Sequence, residues 1–241
     1  MDLTFEVHED YLLAHTALSG PDRFSSPEYQ EDIIALQRRA REAFPEGISY
    51  LPENALDMPL SLGFPSAQAE AIRMLENTEE YRRVLGQTQE YQREVEAQWN
   101  SQLGRTLSIM RSLTGMAFDD HFTVYVTHPS LKNGLYLGQK RIAWGHHEDF
   151  PNYSTVYLWH ETLHDKLPKD ERGHAVIELA TNEELRVRLN GGEYPPFVGH
   201  PHLTPLKEKL LPSWKAYLAS PNRNILEFYR RSGEGLPAKP L

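Results

Sequence analysis

Between Tyr81 and Leu113 the bulky residues Tyr81, Val84, Leu85, Tyr91, Val95, Trp99, Leu103, Leu107, Met110 and Leu113 recur close to one face of a helix. Asn77 followed by Glu80 is a capping-box start, and Gly115 is a natural stop. The pattern predicts one helix on the order of 50 Å long, with Gly86 and Gly104 as places for bends. An apolar stripe on that scale can serve a coiled coil or a dimer, and packing against the chain's own core is the preferred reading.

Ahead of it, Leu3 to Val7 alternates apolar and polar residues as a strand does, and Tyr11 to Leu18 continues as strand or helical turn. Ser26-Pro27 reads as a helix start, with the helix running through Ile33, Leu36 and Ala40 to a stop near Pro45 and Gly47. Residues 48 to 65 read as an irregular connection, and Ser66 as the next helix start. After Asp119-Asp120 the texture changes. Phe122 to Thr127 is β-branched and aromatic, Lys132-Asn133-Gly134 is a turn, and Tyr136 to Leu137 with Arg141 to Trp144 suggest further strands. Helical pattern returns from Ser154. From Pro205 two helices are expected, broken near Pro212 and Ser220-Pro221 and packed through Trp214, Tyr217, Ile225 and Phe228, before a loose tail from Ser232. Strands clustered between helices without regular alternation favour an α+β fold.

The chain of 241 residues is long enough for a proper core, and 39% hydrophobic with 24% charged residues is an ordinary globular balance. A net charge of −9 argues against nucleic acid as a partner. With no cysteine, any metal site must be built from imidazole and carboxylate. Glu6, His8, Glu9 and Asp10 interrupt the amino-terminal segment, so it does not read as a signal peptide. No stretch approaches the roughly 20 apolar residues of a membrane span. The expectation is a cytoplasmic protein with no membrane partner.

His160-Glu161-Thr162-Leu163-His164 is an HExxH sequence. On a helix its two imidazoles share a face and can reach one ion, with Glu161 beside them. Catalytic zinc takes three protein ligands and leaves a position for water, whose proton a neighbouring carboxylate can accept. A third ligand is therefore needed. His174 to Leu189 has helical texture, and Glu183 falls on the apolar stripe formed by Val176, Leu179, Ala180 and Val187. A carboxylate on a buried face calls for a partner or a metal; a salt bridge to Arg186 or Arg188 is the alternative. Glu184 lies about 100° away around the helix. His174 lies ten residues after His164, against the metzincin spacing of six, which makes it a poor third ligand. His146-His147 reads as an exposed loop pair.

The motif followed after 18 residues by Glu183, with Asn182 before it, resembles the gluzincin metallopeptidases, above all the zinc aminopeptidases. The thermolysin branch is similar with its glutamate one residue later, here Glu184; the Asn182 match selects Glu183. Glu178 stands where those aminopeptidases carry an acid that orients a ligand histidine. The resemblance implies Zn2+ held by His160, His164 and Glu183, with Glu161 as general base. It also implies a downstream Tyr or His that stabilises the oxyanion. Tyr194, His200, His202 and Tyr217 are available; the Gly191-Gly192 and Pro195-Pro196 segments point to His200 or Tyr194 on a loop returning to the cleft. No GxMEN-like segment precedes the motif, which leaves exopeptidase and endopeptidase both open.

The expected architecture is a zincin-like catalytic unit over 119–190 with a small mixed sheet, preceded by a mainly helical region over 1–118 and followed by a loop and helices over 191–241. The expected function is a zinc-dependent hydrolase, a peptidase acting on a peptide or protein substrate. The rival is a non-catalytic zincin-fold binding or regulatory protein whose metal is structural or vestigial.

Overall fold

The computed structural model describes residues 1–43 and 74–232. The expected helix stop near Pro45, the connection over 48–65, the start at Ser66 and most of the tail lie outside the described residues. The chain is α+β and divides into two compact units. One comprises Met1–Asp2, Ala97–His121 and Glu148–Leu241; the other comprises Leu3–Glu96 and Phe122–His147. The expected stretch over 119–190 thus contributes its strands mainly to one unit and its HExxH motif to the other.

The second of these units carries the sheet. Strands β1 (Asp2–Glu6), β2 (His121–Val126), β3 (Asn133–Gly138) and β4 (Arg141–Gly145) lie in the order β1-β2-β4-β3. β2 pairs parallel with β4, Val124 opposite Ile142, and β3 pairs antiparallel with β4. In β2 the residues Phe122, Val124 and Val126 are buried and alternate with more exposed ones, as period-2 patterning requires. Helix α1 (Glu9–Leu18) replaces the ambiguous strand-or-turn reading: from Tyr11 to Leu18 every residue is buried. A helix enclosed on all sides shows no amphipathic period, so periodicity is silent about it. α2 (Gln30–Ala43) begins three residues later than the Ser26-Pro27 signal implied, after Tyr29 at φ 58°. Leu12, Leu13, Ile33, Leu36, Tyr81 and Val84 belong to one apolar cluster.

His15 and His128 are buried in this unit. Burial lowers the His15 imidazole to about 3 and the His128 imidazole to about 4. Unfolded histidine takes its proton near pH 6.5, so the stability these groups contribute is complete above that pH and declines as pH falls towards 4. Denaturation at pH 4.5 is expected to show a loss on the order of 4 kcal/mol relative to pH 7.5. Exchange of His15 for leucine should flatten that dependence; an equally steep profile in the variant would refute this assignment.

The long helix α3 (Glu79–Thr114) is unbroken over 36 residues, about 54 Å. Its cap is Thr78, whose hydroxyl accepts from the Tyr81 N–H at 3.2 Å, one residue on from the expected Asn77. Gly115 ends it at φ 69°. In the other unit the chain forms α4 (Tyr153–Leu163), α5 (Glu171–Glu178), a π-helix (Leu179–Leu185), α6 (Arg186–Asn190), α7 (Thr204–Ala219) and α8 (Ile225–Ser232). The break expected at Pro212 does not occur; α7 continues through it to Ser220. Trp214 stacks on Tyr217 at 5.1 Å and meets Phe228 edge-on at 5.4 Å, so the aromatic groups of this region pack α7 against α8. Among the described residues no helix is long and apolar enough to cross a membrane.

Candidate metal centre

The HExxH motif occupies the end of α4, with His160 in its last turn and His164 as its C-cap. The helix is held at its start by Glu148, whose carboxylate accepts from the backbone N–H groups of Tyr153 and Ser154 at 2.9 and 3.0 Å. Gln98 Oε1 accepts from the Thr155 N–H at 3.0 Å. Trp159 is enclosed by Trp99 and Phe118, with ring centroids 5.4 and 5.0 Å away. These contacts fix the rotation of α4, and hence the face on which His160 and His164 stand.

After His164 the chain turns and starts α5 at Asp170, whose carboxylate caps the Gly173 N–H at 2.6 Å. Gly173 is required there, because a Cβ would stand 2.0 Å from the Pro168 carbonyl oxygen. The tight return brings His174, in the first turn of α5, back to the motif. His160, His164 and His174 each offer a ring nitrogen, and those atoms lie within 4.8 Å of one another. The ring centroids are 4.9, 5.0 and 4.9 Å apart. Imidazoles sharing one tetrahedral ion at ordinary Zn–N distances stand about 5 Å apart by the same measure. The short turn after Pro168 is what brings His174 beside the motif across the ten residues that separate it from His164.

The protonation of the cluster suits a cation. His160 Nδ1 donates to Asn182 Oδ1 at 3.1 Å, which leaves its Nε2 as a lone pair, 3.1 Å from Nε2 of His164. Burial, then the neighbouring imidazoles, hold His160 well below the usual histidine range. Burial and His174 bring His164 down to about 3, and burial and His200 bring His174 down to about 4. All three are neutral at pH 7, as metal ligation requires. His174 Nε2 is buried with no hydrogen-bond partner among the described residues, and a buried polar atom left so is costly unless something binds it.

Glu183 is not part of this group. It lies in the π-helix, buried as its place on the apolar stripe implied. Its Oε1 accepts from the Val198 N–H at 2.9 Å and from Lys207 Nζ at 3.1 Å, while Oε2 faces Arg186 at 3.4 Å. Among the described residues the imidazole that joins His160 and His164 is that of His174, and the salt-bridge alternative for Glu183 describes its surroundings. Glu184 is engaged by Arg188 at 2.7 Å and by the Tyr194 hydroxyl at 2.6 Å. Tyr194 also accepts from Trp214 Nε1 at 3.0 Å, so its hydroxyl is committed away from the histidines. His200, by contrast, reaches the cluster, 4.6 Å from His174 and 6.4 Å from His160 between ring centroids.

Glu178 is joined to His200: its Oε1 accepts from the His200 N–H at 2.8 Å and from His200 Nδ1 at 2.7 Å, and lies 3.9 Å from His174 Nε2. Its Oε2 accepts from buried Lys207 at 2.6 Å. Burial pushes the Glu178 carboxyl up, but the donors from His200 and Lys207 outweigh it and leave it below its usual range. His174, Glu178 and His200 also stand close enough to be counted as a second cation group. The Lys207 ammonium already neutralises that carboxylate, which argues for an orienting role. Gly199, at φ 93°, has no room for a side chain: a Cβ would lie 2.6 Å from Glu178 Oε1. Lys207 was missed entirely, although it sits in line with Leu203, Leu210 and Trp214, the buried stripe of α7. A lysine at such a position calls for buried carboxylates. Glu161 is buried, 5% exposed, and belongs to neither group of side chains that could hold a metal ion.

Comparison with known protein families, characterised proteins and solved structures gives no match for this chain. The functional reading therefore rests on the chemistry of the site itself.

Proposed function

We propose that the protein is a metal-dependent hydrolase, a zincin-like peptidase in which His160, His164 and His174 hold a Zn2+ ion. The observation that carries this is the convergence of three neutral imidazoles at the end of an HExxH helix, with the buried Nε2 of His174 lacking a hydrogen-bond partner among the described residues. Bound there, the ion would supply a Lewis acid that polarises a substrate carbonyl and lowers the pKa of water. Glu161 accepts the proton of the attacking water and passes it to the leaving amine. Asn182 keeps the His160 tautomer that presents Nε2. His200, held through Nδ1 by Glu178 and beside His174, is the residue placed to stabilise the developing oxyanion.

A structural metal would call for a fourth protein ligand at the same spacing as the other three. His200 lies 4.6 Å from one ring and 6.4 Å from another, against 4.9 to 5.0 Å within the trio. That offset favours a residue beside the reacting position over a fourth ligand, and so favours catalysis over the binding-protein alternative.

Elemental mass spectrometry of the purified protein tests the ligand set. Wild type is expected to hold about one zinc per chain. Exchange of His174 for alanine should lose it, while exchange of Glu183 for glutamine should retain it. Zinc lost from the Glu183 variant and kept by the His174 variant would return the third place to the glutamate. Wild type that takes up no ion would end the hydrolase reading.

A further inference from the structure

The imidazoles at this site do not stop at the ion-binding trio. From buried His160, 2% exposed, the rings step outward through His174, 5.0 Å away, to His200, a further 4.6 Å, and then to His202, a further 5.6 Å. His200 and His202 are both exposed, while His164 and His174 are half-buried. The ladder thus runs from solvent to the deepest ligand. Its outer rungs are held in place. His200 is fixed through Nδ1 and its backbone N–H to Glu178. His202 lies in the 3-10 turn Pro201–Leu203, tied by the Leu203 N–H to the His200 carbonyl at 3.0 Å and anchored by buried Leu203.

A divalent cation of the borderline class changes place by exchanging one donor for the next. Two imidazoles share an ion when their rings stand about 5 Å apart. Every step of the ladder is near that separation, so an ion can be held by an inner ring before the outer one releases it. Because Glu178 takes the Nδ1–H of His200, the neutral ring keeps one lone pair, on Nε2. The next ring inward is His174, whose Nε2 has no hydrogen-bond partner among the described residues.

We infer that His200 and His202 form an outer site for divalent transition cations, through which the ion reaches His160, His164 and His174. This assignment rests on the metal reading given above, and goes beyond it by naming the route. The sequence signal is the spacing His200-Pro201-His202, which counted only as a choice of oxyanion donors.

The test is the rate at which the full chain, stripped with a chelator, takes up Co2+, followed by stopped-flow absorbance. Exchange of His202 for alanine removes an exposed ring outside the inner trio. The expected result is an unchanged final stoichiometry reached with a second-order rate constant on the order of tenfold lower. Exchange of His147 for alanine, at a histidine outside the ladder, is expected to leave the rate as in wild type. Equal rates in wild type and the His202 variant would overturn the route while leaving the inner site standing. Equal slowing by the His147 variant would also overturn it, by showing general surface capture. Wild type that binds no Co2+ would remove both the route and the inner site.

Discussion

Exchanging Glu161 for glutamine is expected to leave zinc content at about one per chain and to lower turnover by 10²- to 10⁴-fold, on the order of 3–5 kcal/mol in the barrier. The reason is chemical. Glutamine keeps the size of the side chain and both polar atoms but cannot accept the proton of water. Because Glu161 belongs to neither cation group, its loss should not touch metal affinity. Turnover is to be measured on a mixed peptide library by mass spectrometry, with wild type and variant matched for zinc. Full activity in the variant would sink the general-base role. Zinc lost together with activity would move Glu161 from proton transfer to ligation. The library also settles whether cleavage begins at a chain end or within it.

Exchanging Lys207 for methionine carries the second large effect, an expected loss of about 3–5 kcal/mol in stability. Lys207 is buried and serves two buried carboxylates, Glu178 and Glu183, as well as the Val198 carbonyl. Methionine fills the space but takes the ammonium from both carboxylates, leaving Glu178 to His200 and Glu183 to Arg186 and the Val198 N–H. Urea denaturation measures the loss. Adding a Glu183→Gln exchange to the methionine variant should recover part of it, because one of the two buried carboxylates that lost the ammonium is then neutral. A methionine variant within about 1 kcal/mol of wild type would show that the remaining donors, including the Val198 and His200 N–H groups, suffice without the lysine.

What the sequence made legible follows from where each signal resides. The long helix, its glycine stop, the alternation in β2 and the HExxH helix are local patterns, and all of these elements are present. The fully buried α1 escaped because a helix covered on every side has no polar face to set a period. Pro212 was read as a break, yet the helix runs on, since packing of Leu210 and Trp214 outweighs one missing N–H. In the site, the rings of His160 and His164 lie 4.9 Å apart, and that of His200 lies 4.6 Å from that of His174. His174 was set aside because spacing rules describe particular loops, and the turn at Pro168–Asp170 belongs to none of them. Glu183 is buried, as its place on the apolar stripe implied, but its partners Val198 and Lys207 lie far along the chain and leave no local pattern. Tyr194 matched the requirement for a hydroxyl, but hydroxyl partners such as Trp214 and Glu184 are tertiary facts that no local pattern holds.

The π-helix over Leu179–Leu185 makes the count of residues, as much as their identity, a condition of the site. A π turn takes up more residues than an α turn. Removing one residue there would let the segment close into ordinary α-helix, with the helix on either side keeping its rotation. The residues displaced are those inside the wide turn: Asn182, which meets His160, and Glu183, which meets Lys207. The length of the segment therefore governs these two contacts and leaves the course of the chain beyond it unchanged.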